Sequence, residues 1–245
     1  MTSLALYNLK GGVGKTAGAV NLAYLAAAEG WKTLLWDLDP QGSSSFYFDV
    51  ESTHKNTSKK ILTEELLLED AAVGTSYNNL WVIPADLSAR HADVVLDDMK
   101  QSKKKLKSLL ATLKGYDIVL LDCPPGISLI HDNIFQATDV VLMPNIPTTL
   151  SMRSYDTVVA YFQEHGLEAD KVKCFFSMVD HRKNLHHEIM QQFYRDKVFL
   201  KSYIPYLSDI EKMGVNHLPL FEFANSSYAA QCYRDLWHEI KKILP

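Results

Sequence analysis

A glycine-rich segment near the start of the chain carries residue types that bind phosphate. It runs from Asn8 to Thr16 (NLKGGVGKT), between a short apolar run and an alanine-rich stretch typical of a buried helix. Such a turn aims several backbone N–H groups at one point, where the helix dipole adds partial positive charge. Gly14, Lys15 and Thr16 fit the end of a P-loop, in which the lysine contacts the β- and γ-phosphates and the hydroxyl binds Mg²⁺. The segment therefore predicts a nucleotide-phosphate site.

The residues predicted to contact the nucleotide are consecutive: Gly11, Gly12, Val13, Gly14, Lys15, Thr16 and Ala17. A dinucleotide fingerprint also fits here, with Gly12, Gly14 and Ala17 at the required spacing and Asp37 about 20 residues further on. The adjacent Lys15 and Thr16 favour the P-loop, because a phosphate-binding loop of that kind needs both and a dinucleotide turn needs neither.

Acidic side chains follow two predicted strands. Asp37 and Asp39 come after Lys32–Trp36, and Asp122 follows the apolar run Tyr116–Leu121. The carboxyl ends of parallel strands meet at one edge of a sheet, where Mg²⁺ and an attacking water would lie beside the P-loop. The Asp122 carboxylate is placed to bind a water of the Mg²⁺ shell.

The elements that would position these residues alternate along the chain. Strands are predicted at residues 3–7, 32–36, 79–85, 116–121, 139–143, 171–179 and 198–203. Helices are predicted at residues 17–28, 61–69, 86–113, 127–137, 148–165, 180–196 and 233–244. This alternation predicts an α/β fold, with a doubly wound, mostly parallel sheet flanked by helices, in a single domain over residues 1–245.

Composition narrows the possible functions. Hydrophobic residues make up 47% of the chain and charged residues 22%, and no apolar run of membrane-spanning length occurs. Three cysteines without metal-ligand spacing indicate buried, reduced thiols.

The charge of the chain is unevenly distributed. The net charge is −4, but the residues from Lys171 onward carry +3, with 11 lysines and arginines against 8 acids. This basic third hints at an anionic partner. We expect DNA to be bound non-specifically through Arg182, Lys183, Arg195, Lys197 and Lys201. A lysine cluster between Lys100 and Lys107 is the second candidate for this contact.

Three ordered motifs resemble those of the ParA/MinD family of ATPases. Lys10–Thr16 (KGGVGKT) looks like its deviant Walker A motif, Asp37–Gly42 (DLDPQG) like its Walker A′ motif, and Asp122–Gly126 (DCPPG) like its switch II signature. The resemblance covers nearly the whole chain. It implies ATP and Mg²⁺ as cofactors, with Thr16, Asp37 and Asp122 at the metal. It also implies catalytic roles for Lys10, Lys15 and Asp39: Lys10 reaches the partner's nucleotide across a dimer, and Asp39 positions the hydrolytic water.

Short ParA-type partition ATPases are the members most similar to this chain. The resemblance implies an ATP-dependent homodimer that binds DNA non-specifically, associates with the nucleoid in the cytoplasm and is recycled by a partner of the ParB type. No stable membrane insertion is expected. The cargo stays open. One departure is that Ile204-Pro205 is followed by Tyr206 rather than by the family's arginine, which puts DNA contact by this loop in doubt.

Two functions other than partition also use a deviant P-loop. A MinD-like regulator that cycles on membranes would use the amphipathic tail 233–244, although such a helix more often closes the core. An ATP-dependent ligase of the dethiobiotin synthetase type shares the deviant P-loop, but the Asp37–Gly42 and Asp122–Gly126 motifs argue for partition.

Overall fold

A mostly parallel sheet brings the predicted site strands side by side. The computed structural model describes residues 1–100 and 102–245, and within them eight strands form one sheet. The strands are β1 Thr2–Leu6, β2 Thr33–Asp37, β3 Val73–Gly74, β4 Leu80–Ile83, β5 Ile118–Asp122, β6 Val140–Asn145, β7 Val172–Val179 and β8 Phe199–Pro205. Their order is β3-β4-β2-β5-β1-β6-β7-β8, and the pair β3–β4 is antiparallel whereas the other pairs are parallel. The predicted fold class is confirmed.

Helices cover both faces of this sheet. In the described residues they are α1 Lys15–Ala28, α2 Ser43–Tyr47, α3 Thr57–Leu62, α4 Ala92–Asp97, α5 Lys105–Leu110, α6 Leu129–Ala137, α7 Thr149–Glu164, α8 Asn184–Phe193, α9 Ser208–Asn216, α10 Leu220–Ala224 and α11 Tyr228–Ile240. Buried residues of α1 and α11 form one apolar core, and those of α5, α6 and α7 form the other. Every residue of β5 is buried, as expected for a strand covered on both faces.

The predicted helix 86–113 is wrong as a single element. The chain there forms a 3₁₀ turn at Leu87–His91, then α4, a second 3₁₀ turn at Ser102–Lys104 and α5, while residue 101 lies outside the described residues. No apolar residue occurs in the sequence between Met99 and Leu106, so a continuous helix would have no face to bury at that point.

Short helices between longer elements were missed or misplaced. The helix expected at 61–69 forms earlier, as α3, while α2, α9 and α10 have no counterpart among the predicted elements. All three missed helices have nine residues or fewer, too short for a clear periodic pattern.

The tail helix packs into the core. Its apolar residues Tyr233, Leu236, Trp237 and Ile240 are buried against the side of the sheet that α1 covers. The core-closing interpretation of the tail therefore describes this helix. Among the described residues, no helix is long and apolar enough to cross a membrane.

Candidate functional site: the phosphate loop and the strand-end carboxylates

The loop between β1 and α1 requires a glycine at position 14. Gly12 and Gly14 have φ angles of +71° and +92°, in the left-handed region that side chains with a Cβ avoid. A Cβ on Gly14 would also lie 2.8 Å from the Ser177 hydroxyl oxygen. Because Gly14 supplies no side-chain cap, the first N–H groups of α1 remain available to an anion.

The Lys15 side chain folds back over this loop. Its Nζ donates to the Lys10 carbonyl oxygen at 3.0 Å, and the residue is only 7% exposed. Burial lowers the pKa of Lys15, whereas the negative charge of Asp122 raises it. The ammonium group is thus held between the loop and the acids, where the phosphates of a nucleotide would lie.

Lys10 lies against its own chain. Its Nζ donates to the Leu150 carbonyl oxygen in the first turn of α7 at 2.6 Å, and its backbone N–H donates to the Asn8 side chain at 2.9 Å. The amine must leave the Leu150 carbonyl before it can reach another subunit.

The structure brings Asp37 and Asp122 together. They are register partners at the ends of β2 and β5, and Leu6, the last residue of β1, pairs with Asp122 on the other side. Burial raises the pKa of both carboxyl groups, and the neighbouring charge of Asp37 raises that of Asp122 further. Two buried carboxylates this close favour a cation between them and the loop.

Asp122 and Thr16 fit a magnesium ion. Asp122 Oδ2 accepts from the Ser44 hydroxyl at 2.5 Å, whereas Oδ1 is buried and has no hydrogen-bond partner among the described residues. The Thr16 hydroxyl lies close enough to lower the pKa of Asp122. Mg²⁺ prefers oxygen ligands and keeps several waters, so one free carboxylate oxygen, a hydroxyl and phosphates suit it. In the described residues, no cluster of three or more His, Cys, Asp or Glu could hold a metal.

The Asp37 carboxylate accepts hydrogen bonds from the first turn of α2. Its Oδ2 accepts from the Ser45 backbone N–H at 2.9 Å and from the Ser45 hydroxyl at 2.8 Å, and Oδ1 accepts from the Asp39 N–H at 3.2 Å. Sequence reasoning missed both Ser44 and Ser45. The signal was the run Gly42-Ser-Ser-Ser45 directly after the acidic motif.

Asp39 lies in a tight turn beside the loop. Its Oδ1 accepts from the Gln41 N–H at 3.0 Å, and its carbonyl accepts from the Gly42 N–H at 2.9 Å. The residue is half-buried, and its charge contributes to raising the pKa of Lys15. A carboxylate that faces the phosphate-binding lysine and remains partly exposed can contact a water next to the terminal phosphate.

A cavity of about 230 Å³ opens beside Gly12 and Gly14. Ile204 and Pro205, which were expected in a loop but end β8, line it together with Met178. Met178 has a φ of +53° at an irregularity in the pairing of β7 and β8. Ile210 and Tyr233 add to its apolar wall, which suits a flat ring such as a nucleobase. The segment Ile204-Pro205-Tyr206, in which Tyr206 replaces the family's arginine, therefore lies at this cavity.

The five residues predicted to contact DNA are all exposed on or near α8 and β8. Two of them form hydrogen bonds within their own chain. Arg182 donates through Nε and an Nη to both oxygens of Asp180 at 2.9 Å, and these bonds hold the pKa of Asp180 well below its usual range. Lys201 donates to the Tyr194 carbonyl and lies over its ring.

The other three DNA candidates have no such partner: Lys183, Arg195 and Lys197 form no ion pair in the part of the chain that the structure describes. In the alternative lysine cluster, Lys103 pairs with Asp132 at 3.4 Å and Lys105 pairs with Glu64. The unpaired three are therefore the stronger candidates for phosphate contacts.

Asp122→Asn is expected to stabilise the nucleotide-free protein. Burial raises the pKa of Asp122 above its unfolded value, so ionisation costs folding free energy as the pH rises above about 4. The neutral amide removes that cost, about 1 kcal/mol, which raises the melting temperature by about 2 °C at pH 7. Thermal unfolding of both proteins without Mg²⁺ measures it, with the exposed Asp98→Asn as the control. A lower melting temperature for Asp122→Asn would show a structural rather than a cation-binding carboxylate.

The chain resembles known partition proteins in sequence. The profile of a family described as "AAA domain" matches residues 1–172. The chromosome-partitioning ATPase Soj of Treponema pallidum is 34% identical over 94% of this chain and 91% of its own. The sporulation initiation inhibitor protein Soj of Bacillus subtilis is 30% identical over 97% of each chain.

Solved structures share the fold along the whole chain. A plasmid partition protein from Borrelia burgdorferi B31 bound to AMPPNP superposes with a TM-score of 0.87 at 22% identity, covering 98% of each chain. The septum site-determining protein MinD from Pyrococcus horikoshii, complexed with Mg-ADP, gives a TM-score of 0.80 at 22% identity over 99% of this chain and 96% of its own.

Proposed function

This chain belongs to the ParA/MinD family of P-loop ATPases, and we propose that it dimerises on ATP, binds DNA and positions a DNA or protein-complex cargo. As a member of that family it is an ATP hydrolase. The observation that carries the proposal is the convergence of the uncapped N-terminus of α1, buried Lys15 and the unpartnered Asp122 oxygen at one edge of the sheet.

The site residues divide the reaction between them. Residues Gly11 to Ala17, which include Lys15, bind the phosphates. The adenine ring binds in the cavity beside Ile204. Thr16 and Asp122 hold Mg²⁺, with Asp37 supporting them, and the metal when bound offsets charge on the phosphates. Asp39 positions the water that attacks the terminal phosphate.

A second copy of the chain completes the site. Leu150 is 66% exposed, and its carbonyl holds the Lys10 amine in the single chain. The amine must leave this carbonyl before it can contact the nucleotide of another subunit. In the ATP-bound dimer, Lys10 then crosses to the partner's phosphates, where a flexible point charge offsets developing negative charge.

DNA binding requires this dimer. The chain as a whole carries a net charge of −4, so the five basic residues predicted to contact DNA hold it weakly in a single chain. Two copies of these residues double the number of phosphate contacts. Retention by DNA places the protein at the nucleoid in the cytoplasm, and a partner of the ParB type releases it by stimulating hydrolysis. The buried apolar face of α11 counts against a membrane-cycling role for the tail.

The DNA contacts are tested with a charge-reversed pair. Arg195→Glu/Lys197→Glu is expected to lose at least tenfold in affinity for duplex DNA with ATP, because each lost phosphate contact weakens binding and the new acids repel. Wild-type binding should be independent of DNA sequence and should weaken steeply between about 50 and 200 mM salt. A mobility shift assay compares it with Lys183→Glu and Arg182→Glu, and Lys59→Glu on α3 is the matched control.

Two outcomes would contradict this assignment. If every variant binds like wild type, the patch lies elsewhere, and the Lys100–Lys107 cluster is examined next. If wild type with ATP fails to bind at low salt, DNA has no part in the mechanism.

A further inference from the structure

The loop that follows Asp122 cannot hold itself in place with backbone donors. Pro124 and Pro125 have no N–H groups, so their polar backbone atoms are acceptors only. Gly126, with φ at +111°, supplies one N–H, which donates to the Leu9 carbonyl in the phosphate loop at 3.1 Å. The other carbonyls of this turn need donors from outside it, which are side chains or water.

Two buried side chains provide those donors. The Tyr7 hydroxyl donates to the Gly126 carbonyl oxygen at 2.8 Å, and His131 Nε2 lies 3.1 Å from the Pro124 carbonyl oxygen. Tyr7 lies just after β1 and His131 lies in α6, so the turn is held from the phosphate-loop strand and from a helix that packs against that strand. Both side chains are almost fully buried, where a hydrogen bond resists competition from water.

The hydrogen bonds of His131 fix its tautomer. A carbonyl oxygen only accepts, so Nε2 carries the proton that it donates to Pro124. Burial lowers the pKa of the ring, which is therefore neutral, and Nδ1 accepts from the Ser128 hydroxyl at 3.0 Å. The Tyr7 ring packs against the His131 ring at a centroid distance of 5.4 Å, so each donor keeps the other in position.

The helix that carries His131 is itself anchored. Asp132, the next residue of α6, accepts from the Tyr161 hydroxyl of α7 and pairs with Lys103 at 3.4 Å. The first turn of α7 also holds the Lys10 amine through the Leu150 carbonyl. A shift of the turn at Pro124 is therefore resisted by α6 and α7 together.

We propose that His131 and Tyr7 are positioning residues for ATP hydrolysis, which hold the Pro124–Gly126 turn so that Asp122 keeps its reactive geometry. Nucleotide affinity comes mainly from the phosphate loop and the base cavity, which retain their own contacts when either donor is removed. Loosening the turn displaces the metal carboxylate relative to the terminal phosphate, and the chemical step depends on that placement. The donors therefore control kcat more than KM.

The test compares two replacements of His131, one that keeps the ring without the donor and one that keeps a donor without the ring. His131→Phe keeps a ring against Tyr7 but loses the donor, and should lower kcat for ATP about tenfold with KM changed less than about twofold. His131→Gln restores an N–H donor and should return kcat to within about threefold of wild type. Steady-state ATPase assays give both constants, and binding of a fluorescent ATP analogue confirms the affinity separately.

Further variants keep the test valid if His131→Phe fails to fold. Tyr7→Phe removes only a hydroxyl and should also lower kcat severalfold at unchanged KM, while Ser128→Ala should produce a smaller decrease. Thermal unfolding shows which variants are folded. Unchanged kcat in folded His131→Phe or Tyr7→Phe overturns the proposal, and so does equal loss in His131→Phe and His131→Gln, because a restored N–H donor would then have no effect on the chemical step. None of these outcomes depends on DNA binding.

Discussion

Asp39→Ala is expected to hydrolyse ATP at least a hundredfold more slowly than wild type while binding ATP with similar affinity. The carboxylate accepts a hydrogen bond from Gln41, and its charge acts on Lys15 and Asp37, so its removal breaks no hydrogen bond of the phosphate loop. A group that positions a water acts on the chemical step far more than on ground-state binding. The ATP-bound dimer should therefore accumulate.

Single-turnover hydrolysis and ATP affinity measured on the same preparation separate the two effects of Asp39→Ala. The exposed Asp98→Ala removes an acid away from the site and should behave as wild type. If Asp39→Ala binds ATP poorly and stays monomeric, Asp39 is a structural residue of its turn and its assignment to the water is wrong.

The two lysines of the phosphate loop should fail in different ways. Lys15→Ala should lose nucleotide binding itself by at least a hundredfold, because a buried ammonium group beside the phosphates is removed. Lys10→Ala should bind ATP but lose hydrolysis, because its amine donates to the Leu150 carbonyl in the single chain and is proposed to act on the partner's nucleotide.

ATP affinity and turnover of the two variants are compared with those of Lys59→Ala on α3. A Lys10→Ala protein with full turnover would rule out a lysine that acts across the dimer. Equal loss of binding in both lysine variants would place Lys10 in the same role as Lys15.

The relative positions of the candidate site residues follow from the sequence most directly where those residues are contiguous in the chain. Gly14, Lys15 and Thr16 are neighbours, and their glycine requirement follows from backbone conformation alone. Asp37 and Asp122 each end an apolar strand, and parallel strand ends share one edge, so their proximity follows from the fold class. The roles of these residues remain predictions.

Features that depend on contacts between distant segments escaped prediction. Ser44 donates to Asp122 across 78 positions, and Tyr7 reaches Gly126 across 119. Nothing local distinguishes His131 from other helical histidines until Pro124 is seen beside its ring. The break in the predicted helix 86–113 likewise reflects where apolar residues find a surface to bury, which tertiary packing decides.

The proposed mechanism requires a dimer that forms with ATP and dissociates after hydrolysis. Molar mass measured by light scattering after size exclusion, with Mg²⁺ and either ATP or ADP, tests this most directly. The expected result with ADP is the 27.7 kDa of one chain. With ATP, slow-hydrolysing Asp39→Ala should give twice that mass, and wild type should shift partly toward it. A single-chain mass for Asp39→Ala saturated with ATP would contradict the nucleotide-driven dimer and with it the proposed mechanism.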